Sequence, residues 1–162
     1  LHDALPIYPS LLFPGKTQYT TDNKDAVSFS STAVLDTANP FSYFKTAKKI
    51  FSFNPDLLIT RYWMSYFAPS LGTVNRRVKR LTLQRCKTIS IVDNAIPHEP
   101  HFFDKPLSKY FLGSVDGCVA MSSIVKDDIL SFKPNAKIVQ IHHPLYSNYG
   151  DRVDANLARK QL

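Results

Sequence analysis

Cysteine is scarce in this 162-residue chain: Cys86 and Cys118 are the only two. They form no CxxC and no Cys/His pattern, which excludes a zinc knuckle, and two cysteines make no disulfide framework. Cys118 sits in an apolar run and reads as a small core residue. This usage fits a reducing, cytoplasmic setting. No apolar run approaches about 18 residues, so no membrane-spanning helix is expected. The front of the chain has no basic region leading into an apolar core, so no signal peptide is expected. Several catalytic patterns are also missing. There is no G-x-S-x-G elbow to supply a hydrolase serine. His98-Glu99-Pro100-His101 falls short of HExxH, because its second His comes one position early and Pro100 opposes a helix. His142 and His143 are adjacent, so on a strand they point to opposite faces and do not share a metal. Gly15-Lys16-Thr17 resembles the end of a P-loop, but Ser10 stands where the first glycine is needed and no strand precedes it. Internal repeats and low-complexity segments are absent.

What is present suits one globular domain. The chain is 44% hydrophobic, 12% aromatic and 20% charged, enough apolar material for a core and too little charge for a disordered tail. Twenty Lys and Arg against 13 Asp and Glu give a net charge of +7. Such a surface attracts phosphates, anionic lipid headgroups or nucleic acid. The aromatic residues fall in core stripes and loops, not interleaved with the basic ones as a stacking platform requires, so no nucleic-acid partner is expected.

The periodicity then supplies an order of elements. Residues 1–7, LHDALPI, fit poorly with the rest of the chain and read as a non-native scar on a sequence cut at its front. Residues 8–25 form a loop, and 26–30 a short strand. Asn39-Pro40 opens a helix, with Asn as cap and Pro in the first turn. Phe44, Ala47 and Phe51 recur on its core stripe, Lys45, Lys48 and Lys49 turn away, and Asn54-Pro55 stops it. A buried strand comes next at 57–60, ending in Arg61, Tyr62 and Trp63. The second helix carries Phe67, Leu71, Val74 and Val78 inward, with Pro69 in its first turn and Arg76, Arg77, Lys79 and Arg80 outward. That basic face is either plain solvated surface or a contact for an anionic membrane. After a strand at 88–92, Asp104 caps a helix whose apolar side is Leu107, Tyr110 and Phe111. A strand at 117–121 precedes a helix capped by Ser122 or Ser123, with Val125, Ile129 and Phe132 inward. A last strand at 136–141 ends in His142-His143. From residue 56 onward strands and helices alternate. That predicts an α/β, Rossmann-like open parallel sheet with helices on both faces.

Residues 87–101, KTISIVDNAIPHEPH, hold the best candidate site. A β-branched strand runs straight into Asp93, Asn94, Pro97, His98 and Glu99. In open α/β sheets ligands bind beyond the carboxyl ends of the strands. Arg61-Tyr62-Trp63, Ser122-Ser123 and His142-His143 end the other strands on the same edge. The same residues also fit an ordinary strand-to-helix loop, with Asp and Asn capping a turn and prolines stiffening it.

Six segments in order, YPSLLFPGKTQY, NPFSYFKTAKKI, NPDLLITRYWMSYFAPSLGT, VDNAIPHE, VDGCVAMSSIVKDDI and HHPLY, resemble the N-terminal half of family-four glycosyltransferases of GT-B fold. The resemblance spans residues 8–150 and implies an acceptor-binding Rossmann-like domain lacking its first strand, with 151–162 beginning an interdomain connection. It implies an enzyme: retaining transfer of a sugar from a nucleotide-sugar to a glycan or lipid-linked acceptor, at the inner face of the cytoplasmic membrane. Such enzymes need no metal or other cofactor. The nucleotide-sugar is a substrate held mostly by a C-terminal domain that this sequence does not include, so this part alone is expected to be inactive. Carried onto this chain, Asp93 and His98 become the catalytic candidates, and Asn94, Glu99, Arg61 and Trp63 the acceptor-binding ones. A carboxylate or imidazole there could orient a sugar hydroxyl for attack, and an indole could stack on a sugar face. In many relatives a His occupies the place of Asp93. The competing expectation is a non-catalytic Rossmann-like module that binds a phosphorylated or lipid-linked glycan. A nucleic-acid-binding α/β domain, favoured only by charge, is third.

Overall fold

The computed structural model describes residues 32–97 and 101–142. The expected strand at 26–30, the segments 1–7 and 8–25, and the connection at 151–162 lie outside the described residues.

Among the described residues four strands form one sheet: β1 (Leu57–Tyr62), β2 (Lys87–Val92), β3 (Gly117–Ala120) and β4 (Ile138–Gln140). All neighbours pair in parallel, in the order β1-β2-β3-β4. Helix α1 (Pro40–Ser52) precedes β1, and α2 (Ala68–Leu81), α3 (Asp104–Leu112) and α4 (Ser123–Phe132) connect the strands. This is the α/β, Rossmann-like parallel sheet that the alternation of elements predicts. Each strand joins its immediate neighbour, always stepping the same way. With right-handed crossovers, that places all three connecting helices on one face.

Local chemistry explains the helix starts. The Asn39 side chain accepts the Phe41 N–H at 3.0 Å, and Pro40 opens α1. The Ser122 hydroxyl accepts the Val125 N–H at 3.2 Å and starts α4. Two helix faces differ from expectation. On α1 the buried side chains are Tyr43, Thr46 and Ala47, while Phe44 and Phe51 are 41% and 42% exposed. The stripe through Tyr43 wins because its polar atoms find carbonyls: the Tyr43 hydroxyl donates to Thr37 O at 2.6 Å and Thr46 Oγ1 to Val34 O at 3.0 Å. On α2 three of the four cations are engaged, and only Arg80 is exposed without an ion pair among the described residues. Arg76 lies over the Tyr110 ring, 4.0 Å from its centroid, and donates to Gly72 O at 3.0 Å. Arg77 lies over Phe44, and Lys79 pairs with Asp116 at 2.7 Å. Their long stems span the grooves between neighbouring helices, a use that a helical wheel does not reveal.

The sheet also divides its residues differently from a uniformly apolar strand. Toward the helices point Thr60, Tyr62, Thr88, Ser90, Val92, Cys118 and Ala120, all buried. Their hydroxyls are satisfied in place: Ser90 Oγ donates to Thr60 O at 3.2 Å and Thr88 Oγ1 to Ser114 O at 3.1 Å. The other face carries Leu57, Ile59 and Val139, 47%, 57% and 62% exposed, and no described helix covers it. Within the described residues, then, helices lie on one face only.

The core has two parts. One joins Tyr62, Val92 and Ala120 of the sheet to Phe111 of α3 and Val125 and Ile129 of α4. The other joins Tyr43 and Ala47 of α1 to Val74 and Val78 of α2 and to Cys86. Both cysteines are buried and free, and burial pushes the Cys118 thiol up to about 11. Asp116 ties the two parts together at the amino ends of the strands. Its carboxylate accepts the Thr88 N–H at 2.8 Å, the Thr88 hydroxyl at 3.2 Å and the Lys79 ammonium at 2.7 Å. Burial alone would raise this carboxyl. The Lys79 charge and the Thr88 donors outweigh it and hold it below the usual carboxylate range. Asp116→Ala strands the buried Thr88 N–H and is expected to cost about 1–3 kcal/mol, read as a lower urea midpoint at unchanged slope.

Candidate functional site

The four strands end flush. Tyr62 pairs with Val92, Val92 with Ala120 and Ala120 with Gln140. The ladder continues one residue further, with Asp93 N–H donating to Tyr62 O at 2.9 Å, Met121 N–H to Val92 O at 3.4 Å and Ile141 N–H to Ala120 O at 3.0 Å. The residues just past each strand therefore stand along one rim, about 5 Å apart from strand to strand. This is the carboxyl edge where open α/β sheets hold ligands.

Arg61 and Asp93 meet on this rim. Arg61 Nε donates to Asp93 Oδ2 at 2.7 Å and Nη2 to Oδ1 at 3.2 Å, a two-pronged pair. The Arg61 side chain is 66% exposed and that of Asp93 only 18%. Both carboxylate oxygens thus already accept hydrogen bonds, which fits Asp93 for holding and orienting a hydroxyl more than for removing its proton. Trp63, two residues past Arg61, is half-buried against Phe67, 5.3 Å between ring centroids. Asn94 is half-buried beside Asp93. His142 is exposed at the end of β4. His98, Glu99 and His143 lie outside the described residues. Ser122 is occupied as the cap of α4.

Beneath the rim lies a buried polar network. The Tyr62 hydroxyl and Ser108 Oγ are 2.8 Å apart, and Ser108 donates onward to Ala95 O at 2.8 Å. The Tyr62 ring stacks on Phe111 with centroids 4.1 Å apart, and burial raises its phenol to about 12. One turn away, Asp104 is 2% exposed. Its carboxylate accepts the Ser65 hydroxyl and, at 2.6 Å, the His101 N–H. Asp104 does begin α3, as expected, but its side chain caps none of that helix's own N–H groups. It reaches back instead to the loop before α3 and across to the segment after β1. The network fastens both ends of the loop leaving β2: Ala95 near its start and His101 near its end.

Neither Ser108 nor Ser65 stands out in the sequence, and Tyr62 reads there as one more strand-end aromatic. Beyond the network, Phe102 is 94% exposed, edge-on to Phe103, which in turn stacks on the His101 ring at 5.2 Å. An apolar ring so exposed in the loop after the candidate residues is a signal that the sequence did carry, in the pair Phe102-Phe103. No protein-family model matches this chain, and comparison with curated proteins finds no match.

The Ser65 hydroxyl, the His101 N–H and the His101 ring hold the Asp104 carboxyl below its ordinary value of 3.8. Folded, the group binds fewer protons than unfolded, so its contribution is whole above pH 3.8 and drains away as pH falls through the lower folded value. Asp104→Ala should cost about 1–3 kcal/mol near neutral pH, because two donors lose their acceptor. The gap in melting temperature between wild type and variant should narrow below that pH, as followed by thermal scans across an acid series.

Proposed function

We propose that this chain is the acceptor-side domain of a retaining glycosyltransferase, which moves a sugar from a nucleotide-sugar to a glycan or lipid-linked acceptor. The observation that carries the reading is the pairing of Arg61 with Asp93 on the carboxyl rim of a parallel sheet, with Asn94 and Trp63 within two residues of them along the chain. The ordered resemblance of six segments to one half of GT-B enzymes supplies the chemistry. In this reading Asp93 orients the acceptor hydroxyl, Arg61 holds Asp93 and lends positive charge to the rim, and Trp63 offers a ring edge to a sugar. His98 and Glu99, five and six residues beyond Asp93, complete the acceptor side. The nucleotide-sugar is bound by a partner domain and needs no metal from this one.

A second reading is a non-catalytic module that binds the same glycan. One observation favours it: Arg61 engages both oxygens of Asp93, the arrangement of an ion pair with a binding or structural role.

In the complete enzyme, Asp93→Asn should lower kcat by about 100-fold, the cost of a misplaced reacting group, with nucleotide-sugar affinity unchanged. Transfer is measured as radiolabelled sugar recovered in the lipid-linked product. Turnover equal to wild type removes Asp93 from the chemistry. Glycan retention by this chain, with no transfer in any longer form, favours the binding module.

A further inference from the structure

The sheet face turned away from the helices has a hollow in it. Strand alternation puts Lys87, Ile89, Gly117, Val119 and Val139 on this face. Ile89 pairs with Gly117, and the Cys118 N–H donates to Lys137 O at 2.8 Å, so Gly117 stands in a row between Ile89 and Lys137. Val119 and Val139 form the next row. Nothing in the fold calls for glycine at this place. Its φ lies outside the left-handed region, and a Cβ here would meet only the Lys137 carbonyl oxygen, at 3.5 Å, an ordinary contact. A glycine within a strand, required by neither backbone nor packing, leaves room for something to approach the sheet closely.

The room is a cavity of about 790 Å³ at the amino end of the open face, within the size range of sites for small molecules. Ile89, Val119 and Val139 supply apolar lining. The charged lining is Lys87, Lys133 and Lys137 against a single acid, Asp116. Asp116 is occupied by Lys79 and Thr88, and Lys133 by the carbonyl oxygens of Leu112 and Val115. Lys87 and Lys137 are exposed and make no ion pair among the described residues.

We propose that this cavity binds a small organic anion built on a flat apolar ring system. The ring lies over Gly117, against Ile89, Val119 and Val139, and the anionic group sits between Lys87 and Lys137. Lysine suits that end of the ligand, because its ammonium is a compact charge on a flexible stem and meets a phosphate, sulfonate or carboxylate without demanding a fixed fork geometry. The geometry disfavours two other occupants. A metal ion finds one carboxylate in the lining, and both of its oxygens are engaged. Single-stranded nucleic acid wants rings to stack on, and no aromatic side chain lines the cavity. The site lies at the end of the strands away from Arg61 and Asp93, so the inference does not depend on sugar transfer.

The test is a fluorescence titration of the whole chain with anilinonaphthalene sulfonate, an anion of this class, and with its uncharged parent, phenylnaphthylamine. The sulfonate should bind saturably and about tenfold or more tighter than the parent, the worth of a hydrogen bond to a charged group. Lys87→Met with Lys137→Met should remove that advantage. Lys45→Met with Lys48→Met, the same change in net charge on α1, should keep it. Gly117→Val, a residue suited to a strand, fills the hollow and should abolish saturable binding of both dyes. Circular dichroism checks that each variant is folded. Undiminished binding by Gly117→Val overturns the proposal. So does a parent bound as tightly as the sulfonate, the result expected of a plain apolar face that awaits a packing partner. Equal loss in the α1 control, which would mean that net charge alone is at work, also overturns it.

Discussion

The carboxylate of Asp104 is the point on which the candidate site hangs. It is almost wholly buried, and a buried charge persists only when donors surround it. Here the donors come from two places far apart in sequence, Ser65 after β1 and His101 before α3. By satisfying itself, Asp104 pulls the tail of the loop that leaves β2 against the segment that leaves β1. Tyr62, Ser108 and Ala95 make the matching tie at the head of that loop. The rim residues Asp93 and Asn94 stand just ahead of this second tie, so their positions are set by packing below them as well as by the strand that carries them. Preorganisation of this kind is what a site for orienting a hydroxyl needs.

The second constraint is the polarity of the sheet's inner face. Thr60, Thr88, Ser90 and Cys118 are small, so the helices approach closely, and each hydroxyl finds a carbonyl on the next strand or the next loop. Ile59 and Val139 of the same sheet face the other way. The basic residues of α2 serve a related purpose. Arg76 seals α2 against α3 over Tyr110, and Lys79 closes the amino edge through Asp116. Cations that read as surface in the sequence are mostly mortar between helices. Lys45, Lys48 and Lys49 of α1 and Arg80 of α2 make no ion pair among the described residues, and neither do Lys87, Lys105, Lys109, Lys126 and Lys137.

Much of the fold was legible because its signals are local. Asn39-Pro40 and Ser122 start helices through bonds to the next turn, and those bonds do not depend on the rest of the molecule. Runs such as KTISIV, short and β-branched between turn residues, read as strands, and their alternation with helices predicts parallel pairing. The rim came from that parallelism, and Arg61 does meet Asp93 across 32 residues. What the pattern misjudged was direction. Whether Tyr43 or Phe44 faces inward depends on which has a carbonyl to bond, and Thr37 and Val34 supply it to the Tyr43 side.

By itself, then, the sequence determined the order of strands and helices, their parallel run and the edge on which polar residues gather. Those properties rest on hydrogen bonds and side-chain alternation within a few residues. Only the tertiary structure decided which face of each element is buried, that Asp104 anchors a loop in place of capping a helix, and that Arg61 and Asp93 satisfy one another. Each of these is a choice among partners distant along the chain. It is made by burial, which penalises any polar group that arrives without one.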